Sequence, residues 1–249
     1  MPFQPLRQLS QRIVHFWQQN ISSKLLPLLS TIRIVGLAVA GLSIWGFAAI
    51  AEDVLEKETN TLDTAILLGI RTLHTPLGDR MAIAVTFLGE PTVLLVICFA
   101  IGIGLLINHK RAQATTLAIA ATGAVALNYS LKDLFARARP ALWERIVDVG
   151  SYSFPSGHAM ISLVVYGTIG YLLAILFRRW QKLILLLTIL LIIAIGFTRL
   201  YLGVHWPTDV VAGYAGGLVW LVTCILSLEV WRQRNSFGSI AKPNSKNSK

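Results

Sequence analysis

The sequence predicts an all-α, polytopic membrane protein with six transmembrane helices, and three observations lead to this fold class. The 249 residues are 55% hydrophobic and only 14% charged, whereas soluble domains carry about 25% charged residues. Six apolar stretches are long enough to cross a hydrocarbon core about 30 Å thick. None of them alternates as barrel strands do, and backbone groups in lipid must be satisfied internally, so the predicted spans are helices.

The predicted spans follow one another with short connections. We place them near residues 32–51, 82–107, 112–131, 158–177, 182–198 and 209–229. The domain organisation is therefore a cytoplasmic N-terminal segment (1–31), a membrane domain (32–230) and a polar tail expected to be disordered (231–249). About 30 mixed residues precede the first apolar run, which does not fit a cleaved signal peptide. Residues 60–75 have an amphipathic pattern that fits either a helix on the outer surface or an ordinary loop.

The distribution of basic residues predicts the orientation in the membrane. The net charge is +10, and basic residues lie before the first span, after the second and fourth spans, and after the sixth. The positive-inside rule makes these segments cytoplasmic, with both termini inside the cell. The loops 132–157 and 199–208 are then outside although they contain basic residues, which suggests another role for those residues. Nucleic-acid binding is disfavoured because the basic residues are dispersed over many short loops.

A first basic cluster lies at the predicted outer end of the third span. Lys132 and Arg139 are seven positions apart, nearly two helical turns, so we expect both side chains on one helix face. Pro140 is expected to end this helix or to follow its end. Taken alone, the cluster is explained as well by a basic anchor to lipid head groups.

A second cluster, Pro155-Ser156-Gly157-His158, immediately precedes the fourth span. Ser156 suits a helix N-cap, and Gly157 leaves the backbone that follows uncovered. Free amides and the helix dipole make such an N-terminus a natural phosphate cradle, with His158 beside it. The plain alternative is a capped helix that carries an interfacial histidine.

A third cluster joins the fifth span to the sixth: Thr198-Arg199, then His205, then Asp209. Pro207 suits the first turn of the last helix, which places Asp209 in that turn. There the carboxylate can accept a hydrogen bond from one imidazole nitrogen of His205, so that the other nitrogen is oriented as a nucleophile. The alternative is a local cap formed by the histidine and the aspartate.

The three clusters fall on the same predicted face of the membrane, and together they favour a polar site there. An ionisable residue costs about 2.5–3.5 kcal/mol at the centre of a membrane helix, so such groupings mark functional sites. The segments resemble the signature of the type 2 phosphatidic acid phosphatase superfamily, the lipid phosphate phosphatases: Lys-x6-Arg-Pro, Pro-Ser-Gly-His and Ser-Arg-x5-His-x3-Asp. Thr198 stands where serine is usual in that signature.

The resemblance implies a role for each matching residue. The groups that bind the phosphate would be Lys132, Arg139, Ser156, Gly157 and Arg199. His205 would attack phosphorus and become a phosphohistidine, Asp209 would hold its tautomer, and His158 would protonate the leaving oxygen and later activate water.

The same resemblance implies a hydrolase in the cytoplasmic membrane whose active site faces the periplasm or exterior. Undecaprenyl pyrophosphate, phosphatidylglycerol phosphate and phosphatidic acid are its candidate substrates. No cofactor and no protein partner is implied. A lipid phosphotransferase that uses the same phosphohistidine is the main alternative, and a non-enzymatic lipid transporter or scramblase is another.

Three further residues could carry chemistry and are assigned plain roles. Glu90 precedes Pro91. If a helix begins at the proline, Glu90 is an interfacial carboxylate, which is the interpretation we favour over a functional acid inside the span. Cys98 and Cys224 each lie within an apolar run and are expected to be buried structural thiols. No ligand spacing in the sequence requires a metal.

Overall fold

The computed structural model describes residues 31–144, 147, 149–150 and 152–240, and these residues form helices and connecting loops. The α-helices are α1 (Thr31–Leu55), α2 (Asn60–Arg71), α3 (Pro76–Phe87), α4 (Pro91–Ile107), α5 (Arg111–Phe135), α6 (Gly157–Leu176), α7 (Gln181–Tyr201) and α8 (Pro207–Ile240). A short 3-10 helix, Arg178–Trp180, precedes α7. The predicted N-terminal segment up to residue 30 and residues 241–249 of the predicted tail lie outside the described residues.

Five of these helices are long and apolar enough to cross a membrane, namely α1, α5, α6, α7 and α8. The pair α3 and α4 gives a sixth candidate span if it is counted as one, although the two helices are bent by 46° at the break between them. The described part of the chain therefore has the predicted fold class, an all-helical protein with five or six candidate spans.

The second span was placed near residues 82–107, and the structure divides this stretch between two helices, α3 and α4. The chain leaves the helical path between Phe87 and Pro91. Backbone hydrogen bonds to the third preceding residue end α3 there: the Leu88 amide donates to the Val85 carbonyl oxygen and the Gly89 amide to that of Thr86. Pro91 then begins α4, because a proline lacks the N–H needed inside a helix but is tolerated in the first turn. The uniform apolar composition on both sides conceals this break.

The last helix is longer than its predicted span, because α8 continues to Ile240 instead of ending near residue 229. The first part of the predicted polar tail is therefore helical. A hydropathy pattern limits the apolar span only, and a helix can extend beyond the apolar span into polar residues.

The central helix of the bundle is α6. Its apolar window is 61% buried, against 28% in α5, α7 and α8, and all three of those helices pack against it. At one crossing, a Cβ atom at Gly217 of α8 would lie 3.1 Å from the Met160 carbonyl oxygen of α6. Small residues permit such close approach between membrane helices, and the tight bundle fixes where the ends of α5 to α8 lie.

The connections place one set of helix ends together, which we call the site end. It contains the C-terminal ends of α5 and α7, the N-terminal ends of α6 and α8, and the break between α3 and α4. The amphipathic segment predicted at 60–75 forms α2, which buries Asp63 and Leu67 and packs against α7 and α8. Of the two interpretations offered for this segment, the helix is the one observed.

Candidate active site

A cavity of about 360 Å³ opens at the site end. Six of the eight residues predicted for the site line this cavity: Lys132, Arg139, Gly157, His158, Arg199 and His205. The other two, Ser156 and Asp209, are fully buried. Ser156 immediately precedes Gly157 in the chain, and Asp209 contacts His205. The three clusters that are far apart in the sequence are therefore adjacent in the fold.

Lys132 and Arg139 meet in the cavity for a different reason from the one predicted. They do not share a helix face, because α5 ends at Phe135 and Ala136 takes a left-handed conformation with φ of 45°. Beyond this turn the chain returns over the helix end, where the Ser153 amide donates to the Arg137 carbonyl oxygen at 2.9 Å. Lys132 Nζ and Arg139 Nη2 both donate to the carbonyl oxygen of Tyr152, so the returning loop brings the two cations together.

Further oxygen atoms of the protein hold the guanidinium groups of Arg139 and Arg199. Arg139 donates to the carbonyl oxygens of Val204 at 2.8 Å and Gly150 at 3.0 Å. Arg199 is 3% exposed, and its Nη1 donates to Thr86 Oγ1 at 2.6 Å. These neutral oxygens orient the two guanidinium groups, and guanidinium groups suit the binding of an anion.

The contacts of His205 define its tautomer. The Nε2 atom lies 3.1 Å from Arg139 Nη1, and a guanidinium group can only donate, so Nε2 carries a lone pair. The proton is therefore on Nδ1, which lies 3.2 Å from Asp209 Oδ2. The same carboxylate oxygen accepts from the Trp206 amide at 2.9 Å. His205 thus presents an unprotonated Nε2 to the cavity, while Asp209 holds the ring from behind.

His205 is also electrostatically suited to act as a neutral base or nucleophile. Complete burial lowers the pKa of His205 well below its ordinary value, and the nearby cations Arg139, Arg199 and Lys132 lower it further. Burial and like charges both disfavour an imidazolium. The ring therefore keeps its lone pair throughout the physiological pH range.

The N-terminus of α6 closes one side of the cavity. Ser156 occupies the predicted N-cap position, but its side chain makes no capping hydrogen bond, and its amide donates to the Asp209 carbonyl oxygen at 3.0 Å. Gly157 is required for space, because a Cβ atom there would lie 2.9 Å from Asn128 Oδ1. Asn128 is itself tied to the carbonyl oxygen of Pro155 at 3.2 Å. This packing holds the first amides of α6 beside the cavity.

His158 faces a carboxylate that sequence reasoning did not assign to the site. Its Nε2 lies 3.3 Å from Glu90 Oε2, and Glu90 lines the cavity. The helix does begin at Pro91 as the interfacial interpretation required, yet the carboxylate points to the histidine. A prediction of the break between α3 and α4 would have pointed to this contact between Glu90 and His158, because the break directs the chain at Glu90 toward the N-terminus of α6.

Arg137, to which the sequence analysis gave no role, makes the closest contact with Asp209. Its Nη1 lies 2.7 Å from Asp209 Oδ1, the oxygen that His205 does not use. Its Nη2 lies 2.8 Å from Asp63 Oδ2 of α2. Only the folded chain brings these residues together, since Asp63 and Arg137 are 74 positions apart.

Two buried polar atoms near the cavity, Ser156 Oγ and Arg199 Nε, have no hydrogen-bond partner within the described chain, and His158 Nε2 is buried with the Glu90 carboxylate at 3.3 Å but makes no hydrogen bond there. An unsatisfied buried polar group costs about 1–3 kcal/mol, so their grouping indicates a site built for a ligand with several acceptor oxygens. In the same described residues, no group of three or more His, Cys, Asp or Glu side chains is arranged to hold a metal ion. The cavity is thus a cationic site containing two histidines.

Comparisons with known proteins agree with this description. The family model of the PAP2 superfamily matches residues 113–233. Phosphatidylglycerophosphatase B of Bacillus subtilis is 28% identical over 176 residues, which cover 70% of this chain and 86% of the relative. Lipid A 4'-phosphatase of Bacteroides thetaiotaomicron is 32% identical over 168 residues, covering 61% of this chain and 70% of the relative.

A solved structure shares the fold. The crystal structure of a transmembrane PAP2 type phosphatidylglycerolphosphate phosphatase from Bacillus subtilis matches with a TM-score of 0.72 and 25% identity, over 78% of this chain and 96% of that one. The relatives are named as phosphatases, and a cationic cavity in a helical bundle suits the binding of a phosphoric ester. The chain belongs to the PAP2 superfamily, and it is a phosphoric ester hydrolase.

Proposed function

We propose that the protein is a metal-independent lipid phosphate phosphatase that uses His205 as its nucleophile. The observation that carries the proposal is the position of His205 Nε2, which is unprotonated and lies 3.1 Å from the Arg139 guanidinium in the cationic cavity. Phosphate bound by Arg139, Lys132 and Arg199 would place its phosphorus next to this nitrogen.

In the proposed first step, His205 Nε2 attacks phosphorus while the bond between phosphorus and the leaving oxygen breaks. His158 donates a proton to that oxygen, so the lipid leaves as an alcohol, or as a monophosphate if the substrate is a pyrophosphate. The product on the enzyme is a phosphohistidine. Asp209 stabilises its cationic ring through Nδ1, as the third member of a catalytic triad does.

In the proposed second step, water attacks the phosphohistidine and the bond between phosphorus and nitrogen breaks. His158, now neutral, takes a proton from the water. Inorganic phosphate leaves, and His205 is again neutral. Phosphoryl transfer depends mainly on alignment and charge stabilisation. Lys132, Arg139 and Arg199 would supply that stabilisation, assisted by Ser156 and the Gly157 amide.

The walls of the cavity support a lipid as the substrate. Pro91, Val125 and Ile161 form apolar parts of the wall, and Tyr129 lines the cavity while it is 59% exposed on α5. The cavity thus reaches the apolar surface of the bundle, where a head group could enter and leave its chains in the bilayer. We infer from the basic loops at the opposite end that the site end faces the periplasm or exterior and that both termini are cytoplasmic.

Phosphatidylglycerol phosphate is the first substrate to test. A relative and a solved structure from Bacillus subtilis are named as phosphatases of this lipid, and alignment with this chain covers 86% and 96% of their respective lengths. Undecaprenyl pyrophosphate and phosphatidic acid are the comparison substrates, because they differ in the leaving group and in the lipid.

The test is phosphate release by the purified protein in detergent, with a chelator present, from each of the three lipids. We expect chelator-resistant release that His205→Asn abolishes and that the matched variant His109→Asn, an exposed histidine at the opposite end, leaves intact. Analysis of the products distinguishes hydrolysis from transfer to a lipid acceptor. Substantial release by His205→Asn would refute the covalent scheme, and chelator-sensitive release would refute independence from metals.

A further inference from the structure

Arg137 connects two buried aspartates behind the cavity. Its Nη1 donates to Asp209 Oδ1 at 2.7 Å and to Thr208 Oγ1 at 2.8 Å. Its Nη2 donates to Asp63 Oδ2 at 2.8 Å and to Thr59 Oγ1 at 3.1 Å. The Arg137 side chain is 10% exposed and both carboxylates are fully buried. A guanidinium held by four oxygens in this way has one well-defined orientation.

Asp63 fixes the other side of this network. Its Oδ1 accepts from the Thr208 amide at 3.1 Å, and its Oδ2 accepts from Thr208 Oγ1 at 2.6 Å. Thr208 lies in the first turn of α8, where the free amides and the helix dipole favour a carboxylate. Asp63 therefore joins α2, the first turn of α8 and Arg137 in one set of hydrogen bonds.

The two oxygens of Asp209 have separate partners. Oδ2 is used by His205 Nδ1 and the Trp206 amide, and Oδ1 is used by Arg137. Arg137 is the cation in direct contact with Asp209, whereas Lys132 acts on it electrostatically. Loss of Arg137 would therefore leave the buried carboxylate less compensated and make its protonated form more favoured. A protonated Asp209 could no longer accept the Nδ1 proton of His205, and the orientation of the ring and its tautomer would be lost.

We propose that Arg137 and Asp63 are positioning residues for the nucleophile: Arg137 keeps Asp209 ionised and oriented toward His205, and Asp63 holds Arg137 in place. The inference rests on the proposed function, because it requires His205 to be the attacking group. Under this proposal, Arg137 and Arg139 lie in the same loop but have different roles. Arg139 lines the catalytic cavity, whereas the described lining of that cavity does not include Arg137, whose donors are directed to protein oxygens.

The competing explanation is that Arg137 only docks α2 onto the bundle. The two explanations differ in measurable ways. Loss of docking would lower the amount of folded enzyme without altering how its activity depends on pH. Loss of positioning would lower kcat with little change in KM, and it would move the acid limb of the kcat profile to higher pH, because Asp209 would then ionise only at higher pH.

The experiment measures kcat, KM and the pH profile with phosphatidylglycerol phosphate in detergent micelles. The variants are Arg137→Gln, Arg137→Lys and Asp63→Asn. The matched controls are Arg80→Gln and Asp53→Asn, which remove the same charges from exposed positions of neighbouring helices. All enzymes are compared at equal amounts of the monodisperse fraction from size-exclusion chromatography.

We expect Arg137→Gln to lower kcat by about 10²-fold, the size of effect that a misplacement of about 1 Å produces, and to move the acid limb upward. Arg137→Lys keeps the charge but reaches fewer oxygens, so its acid limb should stay near that of the wild type while its kcat falls less. Asp63→Asn is nearly isosteric and should lower kcat by about tenfold, one step further from the nucleophile. The controls should behave as the wild type.

The inference is overturned if Arg137→Gln keeps the kcat and acid limb of the wild type, or if its loss in kcat leaves the acid limb unmoved. If Arg137→Gln does not fold, Arg137→Lys and Asp63→Asn decide in its place, and wild-type kcat in both would overturn the inference. Failure of the proposed function is recognised separately: the wild type would then release no phosphate, or His205→Asn would retain release. An active wild type that depends on His205, with unaffected Arg137 and Asp63 variants, refutes only the positioning role.

Discussion

The two walls of the cavity each carry a histidine beside a carboxylate, and the surroundings of these pairs differ. On the wall formed by the turn between α7 and α8, His205 is 2% exposed and Asp209 is fully buried. On the wall formed by α4 and α6, the His158 side chain is 13% exposed and the Glu90 side chain 48% exposed. The first pair is fixed and shielded from water, which suits the nucleophile and orienting group proposed for it. The second pair is open to solvent on the Glu90 side while His158 Nε2 is buried, which suits the acid–base role proposed for His158.

The largest expected effect on kcat comes from removing the carboxylate of the buried pair, His205 and Asp209. Asp209→Asn keeps the size of the side chain but cannot hold the same tautomer of His205, so kcat should fall by about 10⁴-fold, as in a triad that loses its aspartate. The measurement is kcat for phosphatidylglycerol phosphate in micelles. Asp79→Asn, another aspartate near the site end that bonds to Tyr201 instead, is the control. A loss of less than tenfold in Asp209→Asn would contradict the difference between the two walls.

The next effect tests the exposed pair through the leaving group. His158→Gln should lower kcat by about 10²–10⁴-fold for a lipid alkoxide, because a general acid contributes that much. The loss should be much smaller for p-nitrophenyl phosphate, whose leaving oxygen needs no proton. Equal losses on both substrates would mean that His158 does not protonate the leaving group and that the two histidines are not divided by task.

A smaller effect is expected at Glu90, whose carboxylate lies 3.3 Å from His158 Nε2. Glu90→Gln removes this carboxylate from beside the proposed acid, so we expect about a tenfold lower kcat for lipid substrates, less than loss of the proton donor itself would cause. The effect should nearly vanish for p-nitrophenyl phosphate. Glu52→Gln, an exposed acid of α1, is the control. If Glu90→Gln changes KM alone, Glu90 contacts the head group and does not support His158.

The smallest effect concerns stability and pH. Because burial lowers the pKa of His205, the folded protein binds fewer protons at this residue than the unfolded chain does. The stability from this residue is present above the unfolded-state pKa of about 6.5 and is lost as pH falls below it, by at most about 1.4 kcal/mol per pH unit. Between pH 7.5 and 5, the thermal midpoint in detergent should fall more steeply for wild type than for His205→Asn. Identical slopes would mean that His205 binds a proton in the folded protein.

The helix starts that the sequence predicted correctly have local causes. Pro207 begins α8 as a proline in the first turn, and Ser156 stands at the N-cap position before α6, although its side chain makes no capping hydrogen bond. The position of Asp209 one turn after His205 follows from the same proline signal. Local signals of this kind can be recognised without knowledge of the rest of the fold.

The parts that could not be predicted depend on the path of the chain between elements. Ala136 adopts a left-handed conformation that no residue preference would suggest, and so the relation between Lys132 and Arg139 was assigned to a helix that had already ended. The partners Asp63 and Arg137 lie in different segments and meet only after α2 packs on α8. Long-range ion pairs of this kind leave no periodic pattern in a single sequence.

The bend between α3 and α4 brings two residues to the cavity from outside the part of the chain that the family model matches. Thr86, whose hydroxyl accepts from Arg199, lies in the last turn of α3, and Glu90, which faces His158, immediately precedes α4. Both residues lie outside the region that the family model matches, 113–233. Residues of the bend thus contact an arginine and a histidine of the cavity from outside the matched region, so a substitution in the bend can alter the cavity while residues 113–233 stay unchanged.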